Sequence, residues 1–184
     1  MSNLEERGRV LEEIFFREQE EQVRKAKLAE AERQKNIEEI QTSTGIKDAA
    51  VIGAFLDHGV SAHTMIAIKI VPLVLIAWVD GKLDKTERET IMNQLHQLGI
   101  ESDSDVMKLV QGWLGKRPDD SLKDAYFNFI QQYKQTCDAV EIAALKTEVL
   151  GGSEDVAQAA GGFLGIWAVS NEEEALLDEL KALF

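Results

Sequence analysis

Apolar residues recur along most of the chain with the three- and four-residue spacing of an amphipathic α-helix. No span shows the sustained period-two alternation of a β-strand, so the pattern predicts an all-α fold. Polar and glycine-rich segments interrupt the apolar pattern and mark the ends of the helices. On this basis the sequence predicts helices near residues 47–58, 62–79, 84–98, 103–115, 120–135, 137–150, 153–161 and 171–183.

Proline and glycine disturb two places in this pattern. Pro72 lies inside the second predicted helix, where it removes a backbone hydrogen bond or bends the helix. Gly151 and Gly152 are expected to end the helix before them, with Ser153 as the cap of a short alanine-rich helix. Small residues in this stretch would also let neighbouring helices approach closely.

The first 41 residues differ from the remainder because nearly half of them are charged. They hold 11 Glu, 8 Lys or Arg, no Asp and no Pro, a composition that predicts one long helix. One apolar stripe includes Leu11, Ile14 and Phe15, but the next positions at seven-residue intervals are charged, which disfavours a long coiled coil. We therefore predict an all-helical domain over residues 46–184, preceded by a long charged helical extension over residues 1–41. The first four turns of the extension dock on the domain or on a protein partner, and its remainder is solvated.

Composition changes the range of partners that the chain can have. Its 20 Lys and Arg stand against 33 Asp and Glu, and the net charge of -13 repels nucleic acid and anionic membrane surfaces. The longest apolar run, from Met65 to Val79, contains Lys69 and is shorter than the roughly 20 residues of a membrane span. The single cysteine, Cys137, favours a reducing compartment, and its neighbours predict a buried thiol. We expect no nucleic-acid partner, no membrane span and a cytoplasmic location, while self-association stays open.

An acidic segment follows the apolar run that ends at Val79. Asp80 and Gly81 end that helix, and Asp84 and Glu87 have the three-residue spacing of a capping box. Capping accounts for Asp84 and Glu87 without a ligand. It does not account for Asp80, which would lie at the unfavourable negative end of a helix dipole. Three carboxylates within eight residues also suit a hard cation, so Asp80, Asp84 and Glu87 are candidate ligands, with calcium as the favoured ion.

The same capping pattern recurs near the C-terminus. Ser170 precedes Glu173 by three residues, as Asp84 precedes Glu87, and an apolar residue stands just before each cap. An internal duplication would produce this repeat, and so would two helices that begin by the same rule.

No set of catalytic residues is visible in the sequence. His58 and His63 are five residues apart, which is not the spacing of a helical zinc site. The glycine-rich stretch 150–165 lacks the lysine of a phosphate-binding loop, and no serine stands in a nucleophile elbow. We therefore expect a protein without enzymatic activity and without a cofactor other than a divalent cation.

The stretch VPLVLIAWVDGKLDKTERETI resembles the TerB-like family associated with tellurite resistance. In that family an apolar helix runs into a D-G-x-[LIV]-D-x-x-E segment that opens the next helix, and the matching residues here are Asp80, Gly81, Leu83, Asp84 and Glu87. The resemblance implies a compact multi-helix bundle with an acidic surface cluster suspected of binding metal, and it implies no enzymatic activity. The later segment WAVSNEEE has no Asp-Gly where a second acidic loop would be expected.

Two functions follow as hypotheses. The first is a helical binding module of a stress or metal response, with a weak divalent-cation site at Asp80, Asp84 and Glu87. The second is a structural adaptor without a metal site, which recruits a protein partner through Leu11, Ile14 and Phe15.

Overall fold

The computed structural model describes residues 2–160 and 170–184, with side chains described for residues 9–159 and 170–184. These residues form helices and no strand, which confirms the predicted all-α fold, a multi-helix bundle preceded by a long charged helix. The elements in chain order are α1 (Ser2–Thr44), α2 (Ala49–Asp57), a 3₁₀ helix (Ala62–Lys69), α3 (Val71–Ala77), α4 (Lys85–Gln97), α5 (Asp105–Gly115), α6 (Ser121–Tyr133), α7 (Ala139–Ala160) and α8 (Asn171–Leu183).

Side-chain caps explain where three of these helices begin. Asp84, Ser104 and Ser170 each accept a hydrogen bond from the backbone N–H three residues later, at 2.9, 3.1 and 3.1 Å. Each bond satisfies one of the N–H groups that the first turn of a helix leaves without a partner. The capping boxes that the sequence predicts for α4 and α8 are confirmed.

The second predicted helix is interrupted at Ile70, where the 3₁₀ helix ends and α3 begins. Pro72 lies in the first turn of α3, a position at which a helix needs no N–H donor. The predicted disturbance at Pro72 is therefore confirmed, and it takes the form of a break between two elements.

The predicted break at Gly151 and Gly152 is wrong, because α7 continues from Ala139 to Ala160 through both glycines. Gly152 is buried, and a Cβ atom at this position would approach the side chain of Leu73 to 3.2 Å. Close packing of α7 on α3 thus explains this glycine, and tertiary contact outweighs its poor helix propensity. The expected helix end at Gly161 and Gly162 lies outside the described residues.

The short helix α3 forms the centre of the core. Val71, Val74 and Ile76 are completely buried, and α4, α6, α7 and α8 all pack against this helix. A helix that is apolar on every side requires such an enclosed position. The acidic segment that follows α3 is consequently attached to a core helix, while Asp80 and Asp84 themselves are exposed at the surface.

Helix α1 joins the bundle through its last turns, which corrects the predicted arrangement of this helix. Ile37 and Ile40 are buried in the core. The guanidinium of Arg33 donates to Asp57 Oδ1 at 2.7 Å and to the carbonyl of Gly53 at 3.1 Å. Within this chain the last turns of α1 dock on the bundle and the described outer turns are exposed to solvent, which is the reverse of the predicted docking of the first turns.

The helix also extends past residue 41, the predicted end of the extension, and ends before residue 46, the predicted start of the domain. It continues to Thr44, whose carbonyl accepts a hydrogen bond from the hydroxyl of Thr136 at 2.9 Å.

The thiol of Cys137 is half-buried, not fully buried as predicted.

No single helix among the described residues is long and apolar enough to cross a membrane, although α2 and the 3₁₀ helix reach that length and composition together as a pair bent by 83°.

Candidate functional site

The acidic segment begins with a turn at the end of α3. Gly81 has a φ of 83°, in the left-handed region that glycine adopts without strain, and its N–H donates to the carbonyl of Trp78 at 2.9 Å. Asp80 Oδ1 accepts a hydrogen bond from the backbone N–H of Lys82 at 2.8 Å. Asp80 therefore stabilises this turn locally, a role that the dipole argument from the sequence did not consider.

Asp84 and Glu87 form a reciprocal capping box at the start of α4. Asp84 Oδ1 accepts from the N–H of Glu87 at 2.9 Å and from the hydroxyl of Thr86 at 2.7 Å. Glu87 Oε2 accepts from the N–H of Asp84 at 2.8 Å. These bonds occupy one oxygen of each carboxylate and hold both side chains in a single orientation.

Glu87 is unusual because its carboxyl group is buried. Its exposed fraction is 4%, and burial raises its pKa from 4.5 to about 7. The hydrogen bond from the Asp84 backbone opposes this rise in pKa, whereas the charges of Asp84, Glu173 and Asp80 add to it. The acidic segment therefore contains one carboxyl group that exchanges its proton near neutral pH.

Glu173 is a further carboxylate close to Glu87, and the sequence analysis did not assign it to a site. It is the reciprocal capping glutamate of α8, it is 5% exposed, and its charge acts on Glu87. The repeated capping box was the feature of the sequence that could have pointed to Glu173. The sequence showed two equivalent helix starts, but not that the fold brings them near one another.

The candidate metal ligands have the donor atoms of a cation site but not its arrangement. Asp80, Asp84 and Glu87 supply the oxygen donors that calcium prefers. Within residues 9–159 and 170–184, however, no group of three or more His, Cys, Asp or Glu side chains is arranged to hold a metal ion. Calcium binding by these three residues stays a prediction.

A second candidate site is the outer part of α1. Every described residue from Arg9 to Glu32 is exposed, so this part extends beyond the bundle over about 35 Å at 1.5 Å per residue. Leu11 and Phe15 are 66% and 56% exposed, and Ile14 is exposed as well. Helix α1 thus carries the predicted partner-binding residues on a surface that the described residues of the chain do not cover.

A cleft of about 520 Å³ opens between α3, the loop before α6, and α8. Its apolar wall includes Trp78. Both basic residues of its rim, Arg117 and Lys123, form ion pairs with acidic residues of the same rim, Asp120 and Glu179. The lining also contains three further acidic residues, Asp119, Asp124 and Glu172, so the cleft carries a net negative charge and has no unpaired basic side chain for an anionic ligand.

The segment from Asp80 to Glu87 keeps the D-G-x-[LIV]-D-x-x-E pattern in a turn between two helices, as in the resemblance drawn from the sequence. Comparisons of the chain with family models, with curated proteins and with solved structures found no match. Membership of the TerB-like family therefore stays a prediction that rests on this motif.

Proposed function

We propose that this chain is a non-enzymatic interaction module that recruits a protein partner through the outer part of α1. The observation that carries this proposal is the exposure of Leu11, Ile14 and Phe15 on a helix whose other end is fixed in the core. Clustered exposed apolar side chains are a property of interaction surfaces, because leaving them in water is unfavourable.

The distribution of exposed apolar residues supports this proposal. Among the described residues, the large hydrophobic side chains that are exposed all lie on α1 except Val140. Leu11, Ile14 and Phe15 have the i, i+3, i+4 spacing with which a helix presents anchors to a groove or to another helix. Each anchor that becomes fully buried would contribute roughly 1.5–3 kcal/mol.

A divalent-cation site at the acidic segment is the second candidate. Its support is the proximity of Asp80, Asp84 and Glu173 to Glu87, whose pKa is raised by burial and raised further by these three charges. The resemblance of the segment with Asp80, Asp84 and Glu87 to the TerB-like motif supports placing the module in a stress or metal response. Ligand chemistry favours calcium, bound weakly, since few protein oxygens are available.

The adaptor proposal predicts that Leu11→Ser combined with Phe15→Ser leaves the melting temperature of the chain unchanged and abolishes partner binding. Both side chains are exposed, and exposed substitutions change stability by about 0.5 kcal/mol or less. Thermal melts test the first part. For the second, a photoreactive phenylalanine analogue at Phe16, which is 61% exposed, should cross-link in cells to one defined protein.

The matched control carries the same photoreactive group at Val140, an exposed apolar position on the bundle. The cross-link from position 16 should be missing at position 140, and it should disappear in the double serine variant. Equal cross-linking from both positions, or a product that survives the two serines, would rule out α1 as the recognition element.

A further inference from the structure

We propose that the cleft between α3, the start of α6 and α8 binds a basic peptide segment of a protein partner, in which one apolar residue is flanked by Lys or Arg. This site goes beyond the proposed function, because it lies on the bundle and is lined by no residue of α1. Three properties of the cleft support the proposal: its apolar wall, its negative charge and the fixed position of its aromatic ring.

The inner wall of the cleft is apolar. Val74 and Leu75 of α3 and Leu176 of α8 line it, together with the half-exposed side chains of Trp78 and Val79. The volume of about 520 Å³ lies within the range of roughly 300–1,000 Å³ in which proteins hold ligands. The cleft therefore has room for a large apolar side chain, which gains free energy when it leaves water.

The charge of the lining is negative. Its five acidic and two basic residues give a net formal charge of -3. Helices α6 and α8 also begin at the cleft, and the dipole of each helix contributes about half a positive charge there. A negative charge of about two units is left after this contribution, so the cleft attracts cations and repels anions.

Two of the acidic side chains are available to a ligand. Asp124 of α6 and Glu172 of α8 are exposed, and neither forms an ion pair within the described part of the chain, whereas Asp120 and Glu179 are already paired. Because Asp124 and Glu172 lie on different helices, a ligand between these helices can place one positive charge near each carboxylate. This arrangement favours a peptide with basic residues on both sides of an apolar residue over a ligand with a single charge.

The indole ring of Trp78 is held in position by a hydrogen bond within the chain. Its Nε1–H donates to the carbonyl of Trp113 at 2.9 Å. A ring that is fixed in this way loses little conformational entropy when a ligand covers it. The face of a Trp ring attracts the guanidinium of Arg or the ammonium of Lys. Trp78 can thus contact both the apolar and the cationic parts of the peptide.

A nuclear magnetic resonance titration of the ¹⁵N-labelled full chain with three synthetic peptides tests the proposal. The peptides are acetyl-Gly-Lys-Arg-X-Lys-Arg-Gly-amide, with Leu, Phe or Ile at position X. At least one of them should shift the assigned indole N–H signal of Trp78 in a saturable manner below millimolar concentration. The same peptide with Ser at position X should bind about tenfold more weakly, because it buries no apolar side chain against the wall of the cleft.

Variants of the protein test the contribution of the two available carboxylates. Asp124→Asn combined with Glu172→Gln should raise the dissociation constant of the best peptide about tenfold, because two ion pairs with the peptide are lost. The matched control, Glu101→Gln combined with Asp103→Asn, removes two charges at exposed positions outside the cleft. Salt screens charges at that distance from the peptide, so the control should change the dissociation constant about twofold or less.

Three results would overturn the proposal. The first is a Trp78 signal that none of the three peptides shifts at millimolar concentration. The second is equal weakening of binding by the two double variants, since binding would then follow the overall charge of the chain. The third is binding of spermine at Trp78 with the affinity of the best peptide, since the apolar residue would then contribute nothing. Leu11→Ser combined with Phe15→Ser should leave peptide binding unchanged, so these results are independent of the cross-linking test at position 16.

Discussion

Replacing Ile40 with Ala should lower the free energy of unfolding by about 2–5 kcal/mol, although Ile40 lies on a charged helix that resembles an appendage in sequence. Its side chain is 1% exposed and belongs to the hydrophobic core. The substitution removes buried methyl and methylene groups and leaves a cavity between α1 and the bundle, and the loss of stability follows from both effects.

Ile14→Ala is the matched control, because it makes the same chemical change on the same helix at a position that is 41% exposed. We expect a change of about 0.5 kcal/mol or less there. Chemical denaturation, measured at a protein concentration where the chain is monomeric, compares the two variants. Equal destabilisation by both would mean that the outer and inner parts of α1 are packed alike.

Glu87→Gln should stabilise the protein above pH 7 and have little effect near pH 4.5. The folded pKa of Glu87, about 7, lies above its ordinary value of 4.5, so between these values the native state binds more protons than the unfolded chain. Stability attributable to this group therefore falls as pH rises from about 4.5 to about 7. Gln keeps the oxygen that accepts from the Asp84 N–H but carries no charge. At 1.36 kcal/mol per pKa unit, with part of the effect screened by solvent, we expect a gain of about 1–3 kcal/mol above pH 7.

Denaturation of wild type and variant at a series of pH values measures this difference directly. Glu101→Gln, at an exposed position, is the control and should show no such pH dependence. A stability difference between Glu87→Gln and wild type that is constant from pH 4.5 to pH 8 would contradict the buried, proton-exchanging carboxyl group.

Thermal melts in millimolar calcium test the second candidate function, the divalent-cation site at the acidic segment. A bound cation would raise the melting temperature of the wild type by mass action, and Asp80→Asn should abolish that rise. Asp84→Asn should preserve the helix cap, because Asn caps about as well as Asp, while weakening cation binding. A wild-type melting temperature that does not move in calcium would exclude the site.

Local rules were sufficient to predict most helix boundaries from the sequence. The caps at Asp84 and Ser170 depend on residues three positions apart, and the break at Pro72 depends on its missing N–H. Such features are decided within one helical turn, so the sequence states them directly.

The errors concern features that depend on distant contacts. Gly152 lies inside α7 at a position where the side chain of Leu73, on another helix, leaves room only for a small residue. The burial of Ile40 likewise depends on contacts with other helices. The approach of Glu87 and Glu173 likewise needs the fold to place two helix starts together. No pattern within a short window contains this information, which is why the sequence identified Asp80, Asp84 and Glu87 but not Glu173.

Hydrogen exchange on the full-length chain tests the central claim most directly, namely that the outer part of α1 is uncovered in the single chain and becomes covered by association. An isolated helical extension is marginally stable in water, so at low protein concentration the amides of residues 9–32 should exchange rapidly. The amides of residues 37–44 should be protected together with the bundle. Adding the partner that is captured by the cross-link at position 16 should increase protection in residues 9–32 alone. Residues 9–32 that are protected as strongly as the bundle at every concentration would contradict the account, since the apolar stripe would then be buried within its own chain.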